Sequence, residues 1–158
     1  MASSTRSLTL ADLPDFLAGL GESLQRIDFA KPLATVGLYL ASQAQQRFDE
    51  QRSPDGVPWA DWARPPSEKR GGPTAKLLRD TDVLMASLTS QAHAEHIEEA
   101  TSASLLWGTN LPYSSFQQEG TEDIPARPFL GINDKMRGRI GLILTDYVER
   151  VLTGGQQP

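Results

Sequence analysis

From Asp28 onward the apolar residues Phe29, Leu33, Val36, Leu40 and Ala44 recur three or four apart and stop near Phe48. That is the spacing of one buried helical face, and it predicts the main core helix. Upstream, Asp12 is a candidate cap with Pro14 in the first turn. Leu13, Phe16, Leu17, Leu20 and Leu24 follow as a stripe weakened by Gly19 and Gly21. A third stripe, Met136, Ile140, Ile143, Leu144, Tyr147, Val148 and Val151, begins after Asn133 or Asp134. It predicts a C-terminal helix stopped by Gly154-Gly155. Between Thr74 and Leu88 the pattern gives a short helix or two, with Leu77, Leu78, Leu84, Met85 and Leu88 inward.

Two strands are expected next, from Leu88 to His96 and from Ala100 to Trp107, joined through Glu98-Glu99. The second has the β-branched and apolar residues of a half-buried hairpin, whereas Ala and Glu in the first are poor strand formers. Tyr113 to Gln118 predicts one helical turn closed by Gly120. The fold class is therefore α+β, helices around a small antiparallel sheet.

Two stretches have neither period. Gln51 to Thr74 is rich in proline and glycine, carries Trp59 and Trp62, and is longer than most loops of compact domains. Its rings bury either on the parent domain or on a partner subunit. Arg64, Lys69, Arg70, Lys76 and Arg79 outnumber Asp61, Glu68 and Asp80, making a basic arm that acidic neighbours would attract. The second stretch is Ile124 to Ile132. Pro125 and Pro128 fix their own φ and push Ile124 and Arg127 into extended conformations, so this segment is a stiff strut. Arg127, Pro128, Phe129 and Leu130 then present a guanidinium fork beside an apolar anchor. The segment either docks on its own core or serves as an interface anchor.

The 158 residues fit a single domain, with an N-terminal arm over residues 1–10 and a tail over 153–158. A hydrophobic content of 39% is low for a compact globule, so part of the stability is expected from neighbours. The chain has no cysteine, which excludes disulfides and thiolate zinc sites and suits a reducing cytoplasm. With no apolar run approaching a membrane span, a soluble product is expected. A formal charge of −5 argues against broad nucleic-acid binding, although Lys135, Arg137 and Arg139 form a local basic group.

Candidate chemistry is thin. His93, His96, Glu95, Glu98 and Glu99 are the one cluster that suggests a metal, but ligands three apart point to opposite faces of a strand. No serine sits in a nucleophile elbow, and Gly71-Gly72-Pro73-Thr74 lacks the spacing of a phosphate loop. Neither catalysis, a cofactor nor a metal is expected.

Phe48, Pro54-Asp55-Gly56-Val57-Pro58-Trp59, Leu77-Leu78, Thr81 to Leu84, Leu106 to Asn110, Tyr113 to Gly120 and Ile124 to Ile132 occur in an order with a parallel elsewhere. The chain resembles the virion-morphogenesis or tail-completion proteins of tailed bacteriophages, the group typified by the G protein of phage Mu and the S protein of phage P2. The likeness runs from about Ala30 to Val151. In that pattern glycine usually follows Thr81, whereas Asp82 stands here, a residue that tolerates positive φ better than most. The resemblance implies a structural protein of the neck or tail, assembled in the host cytoplasm, that joins heads to tails by binding. It further implies a ring of identical copies, most simply six, touching the tail tube or terminator and the head-tail connector, with packaged DNA passing through unread. Trp59, Trp62, Arg64, Tyr113, Phe116, Arg127, Pro128, Phe129 and Leu130 would be interface residues. The clusters Glu95, Glu98, Glu99 and Glu119, Glu122, Asp123 would line the channel. Two rivals remain: a head-associated morphogenesis factor or chaperone, and a small nucleic-acid-binding protein.

Overall fold

A computed structural model describes residues 27–62 and 75–153, with 14, 18, 19, 21, 22, 67, 68 and 72 as isolated positions. Among the described residues the order is α1 (Ala30–Glu50), α2 (Val83–Thr89), β1 (His96–Ala100), β2 (Leu105–Thr109), α3 (Ser114–Glu119) and α4 (Asp134–Leu152). The α+β class is thus as the periodicity indicates. The helix expected from Asp12 and the stop at Gly154-Gly155 fall mainly or wholly outside the described residues.

Helix α1 starts where Asp28 Oδ1 accepts the N–H of Ala30 at 2.9 Å, with Pro32 in the first turn, where a missing donor costs nothing. It ends at Gln51, which turns left-handed at φ 57°. Its buried stripe, ending in Ala44 and Phe48, meets Leu84 and Leu88 of α2, then Leu77, Trp59 and Phe129. Phe48, Leu88 and Phe129 are fully buried, each contributing about 2–3 kcal/mol relative to exposure.

Asp82, at φ 55° and ψ 5°, is the residue before α2 and adopts the left-handed turn for which glycine is the usual choice. Arg79 holds its carboxylate through Nε at 2.6 Å and reaches Asp49 on α1 at 2.8 Å, pinning the turn to the core helix.

The hairpin is shifted from its expected place. Leu88 belongs to α2, and Glu98 and Glu99 lie inside β1, opposite Trp107 and Leu106. The reversal is at Thr101 to Ser104, where the Thr101 N–H donates to the Ser104 carbonyl at 2.8 Å and Thr101 Oγ1 accepts the Ser104 N–H at 2.9 Å. A hydroxyl supplies the closure that glycine or asparagine would otherwise give.

Helix α4 begins at the cap Asn133, whose Oδ1 accepts the Met136 N–H at 2.9 Å. The Asn133 amide also donates to the Pro54 carbonyl at 2.6 Å, tying the helix start to the loop after α1. Of the expected apolar stripe only Met136 is fully buried; Ile140, Ile143, Leu144, Tyr147 and Val148 are half-covered and Val151 is exposed. The described fold covers this stripe at Phe29, whose ring lies 6.2 Å from Tyr147.

Candidate functional site

The strut runs extended beside the core without a partner strand, so its main-chain groups need other partners. Side chains supply them. Gln118 Oε1 accepts the N–H groups of Phe129 and Leu130 at 3.0 and 2.9 Å, and its Nε2 donates to the Leu130 carbonyl at 3.0 Å. Trp59 Nε1 donates to the Pro128 carbonyl at 2.8 Å. Arg47 reaches from α1 to donate to the Phe129 and Gly131 carbonyls, both at 2.7 Å, and touches Met136 Sδ. The Arg127 N–H donates to the Gln117 carbonyl at 2.8 Å.

Gly120 makes this approach possible. At φ 79° it lets α3 turn directly into the strut, and a Cβ there would lie 2.7 Å from the Ala126 nitrogen.

Arg127 works in the opposite direction, from the strut to the loop. Its Nε and Nη2 donate to the carbonyls of Ala60 and Asp61 at 2.8 and 2.9 Å, and its guanidinium lies 5.6 Å from the centre of the Trp62 ring. Burial pulls its pKa below the usual arginine value, partly offset by the charge of Asp61. Burial does the same to Arg47. Two buried guanidiniums thus hold main-chain carbonyls, and among the described residues neither has a carboxylate within ion-pair distance.

The described residues singled out from sequence separate by burial into three groups. Trp59, Arg127 and Phe129 are inside the chain at 6%, 5% and 0% exposure, and Phe48 packs against both rings. Trp62, Pro128 and Leu130 are half-buried, with Trp62 Nε1 donating to the Ala75 carbonyl at 3.2 Å. Tyr113 and Phe116 are open to solvent at 41% and 53%. Arg64, Lys69 and Arg70 lie outside the described residues.

Between these groups lies an open groove of about 510 Å³, bounded by Trp62, the 78–84 segment, α3 and the strut. Its floor is Leu78, Val83, Leu84, Tyr113, Ile124 and Pro125, with Asp123 and Arg127 among its polar members. Partial burial raises the Tyr113 pKa above its ordinary value.

The histidine cluster is divided by the strand. His96 Nδ1 lies 2.8 Å from the Ser87 carbonyl and its Nε2 3.2 Å from Glu98 Oε2. Gln91 donates to the same carboxylate oxygen at 3.0 Å. Glu98 is therefore turned toward the interior and lies against Gly37 of α1, while Glu99, Glu119, Glu122 and Asp123 are exposed. Among the described residues no group of three or more His, Asp or Glu side chains could hold a metal ion, and no helix is long and apolar enough to cross a membrane.

Residues 8–149 match the model of the phage virion morphogenesis family. The chain belongs to that family. No match is found among curated proteins or solved structures. Most of this morphogenesis protein is covered by the family, including the strut, the groove and nearly all of α4. Arg47, Gln118 and Gln51 were not apparent in its sequence as structural residues. Gln51 Nε2 donates to the Phe48 carbonyl at 2.6 Å, and its Oε1 accepts the Leu77 N–H at 2.5 Å. A polar residue at the inward edge of the α1 stripe is the one signal that could have pointed to Arg47 and Gln51, and Gln118 on α3 carries none.

Proposed function

We propose that this chain is a neck or tail-completion protein that forms a ring of identical copies at the head-tail junction, or at the tail end, and allows the two to join. It acts by binding and not by turnover. The carrying observation is the contrast across the strut: its backbone is secured from inside by Arg47, Trp59 and Gln118, while the adjoining groove and Tyr113 and Phe116 are left open. A rigid wall beside an uncovered apolar groove suits a subunit whose remaining contacts come from assembly. Trp59, Arg127 and Phe129 then serve the interface indirectly, by fixing its wall, and the groove with Tyr113 and Phe116 makes direct contact. Glu99, Glu119 and Glu122 are exposed and suit a lumen past which DNA must slide, because acidic walls do not grip phosphates.

The tail tube or terminator and the connector are the partners this position requires. The test is phage made without this protein. Filled heads and unjoined tails should accumulate, and adding purified protein should join them. Failure to form normal heads, with the protein absent from finished particles, would instead mark the head-associated chaperone.

A further inference from the structure

Strand β2 has an open edge. The Thr101 N–H donates to the Ser104 carbonyl at 2.8 Å and the Asn110 N–H to the Glu95 carbonyl at 2.9 Å, and these two bonds fix the phase of the ladder between them. In an antiparallel pair, residues that bond across the ladder alternate with residues whose main chain points away from it. Leu106 and Gly108 therefore bond to β1, while Leu105, Trp107 and Thr109 turn their N–H and C=O groups outward. None of those main-chain groups has a partner among the described residues, and all three residues are only half-buried.

The two edges of the hairpin are not alike. β1 carries Glu98 and Glu99, and the Glu98 carboxylate is turned inward to His96 and Gln91. Inward-pointing charge is one of the devices that keep an edge from accepting another strand. β2, Leu105-Leu106-Trp107-Gly108-Thr109, has neither charge nor proline. Trp107 packs toward the core, so Leu106 stands on the opposite face of the strand, 57% exposed. An uncharged edge with aromatic and β-branched residues and unpaired main-chain groups is a template for a further strand.

β2 is complementary to itself. When it is laid antiparallel against β2 of a second copy, one register keeps all five residues paired, the one centred on Trp107. There Trp107 faces its own counterpart and Leu105 faces Thr109, so outward groups meet outward groups and each of these pairs exchanges both of its hydrogen bonds. On the other face Leu106 lies opposite Gly108, whose main chain is covered but where a Cβ would meet nothing within 4 Å. A side chain left open in the single chain is thus set over a residue that has none, and no charge is brought against another.

We infer that two copies of this chain pair through β2, edge to edge and antiparallel, making one continuous sheet in the order β1-β2-β2-β1. A lone two-stranded hairpin is marginal, and doubling it gives the strand number that supports a stable sheet. The contact is isologous, the same patch on both copies, so it stops at two. It neither builds the proposed ring, which needs two different patches, nor depends on it.

The chain has no cysteine, so single cysteines report the register directly. Full-length Leu106→Cys and Gly108→Cys, purified separately, mixed and mildly oxidised, should give a disulfide dimer containing one of each, because directly opposite residues of a non-bonded pair bring their Cβ atoms close. Either variant oxidised alone should give about tenfold less dimer. Leu106→Lys should weaken dimerisation about tenfold in sedimentation equilibrium, since its apolar cover is lost and an edge lysine opposes pairing. Its circular dichroism should stay that of the parent, because Leu106 is exposed in the single chain. This variant also carries the test if Gly108→Cys does not fold. A parent chain that is monomeric at every concentration would overturn the inference. So would mixed dimers no more abundant than those of either cysteine variant alone, or a Leu106→Lys chain that pairs as the parent does.

Discussion

Arg47→Met tests whether the strut is held by the core helix. The substitution keeps a long, flexible side chain but deletes two charge-assisted hydrogen bonds, to the Phe129 and Gly131 carbonyls. Such bonds are worth about 1.5–3 kcal/mol each. Part of this is offset, because methionine no longer requires a buried charge to be desolvated. The two carbonyls fare differently once the guanidinium is gone. Gly131 is exposed and water can replace the lost donor, whereas Phe129 is fully buried and its carbonyl is left without one. An orphaned buried acceptor costs about 1–3 kcal/mol, so the net loss should be about 2–4 kcal/mol. For a chain of this length that lowers the melting temperature by about 6–12 °C. Urea unfolding should show a lower midpoint at unchanged slope. Arg47→Lys supplies a point charge that satisfies one carbonyl, and should lose roughly half as much. Stability of Arg47→Met within about 0.5 kcal/mol of the parent, or a lysine variant as weak as methionine, would refute the assignment.

Arg127→Ala should destabilise the isolated chain by about 1–3 kcal/mol and make the segment near Ala60 and Asp61 more sensitive to limited proteolysis, because both carbonyl contacts and the Trp62 contact go together. An unchanged melting curve would show that the residue is no internal staple. Gly120→Ala should cost about 2 kcal/mol or more by thermal unfolding, since the new Cβ meets the backbone of Ala126 at a φ that disfavours side chains. For Asp82 the hydrogen bond from Arg79 holds the carboxyl below its usual range. The folded pKa is depressed, so its contribution is present above the unfolded value of about 4 and lost as pH falls through the folded one. Asp82→Asn should flatten the acid limb of the stability profile slightly, as the pair is half exposed; an unaltered limb would remove this contribution.

What could be read from sequence was what local periodicity encodes. The α1 stripe ends at the observed place because Phe48 is the last residue it can bury. The α4 start was legible to within one residue, as Asn133 or Asp134, because a capping side chain lies next to the N–H groups it serves. The hairpin slipped because alanine and glutamate give β1 no alternation to detect and Thr101-Ser102-Ala103-Ser104 carries no glycine or asparagine. The direction of Arg127, Trp59 and Phe129 was decided by Phe48, some 80 positions from the strut, and by carbonyls that no side-chain pattern displays. The groove residues Tyr113 and Ile124 stand at the head of motifs marked in the sequence, Tyr113 as an expected interface residue, but their meeting with Val83 depends on chain reversals at Gly120 and Asp82.

Beyond the apolar anchors Phe129 and Leu130, the strut is gripped through its peptide groups. Arg47, Trp59 and Gln118 take hold of carbonyls and amides at residues 128–131, and Arg127 grips two more at 60 and 61. Every amino acid has a carbonyl, and all but proline an N–H. A clasp of this kind does not read the identity of what it holds. The exposed Ala60, whose carbonyl is what Arg127 holds, can therefore drift, changing what the surface shows to a neighbour, while the wall beneath keeps its shape. A lineage built this way can acquire new partners without refolding its scaffold.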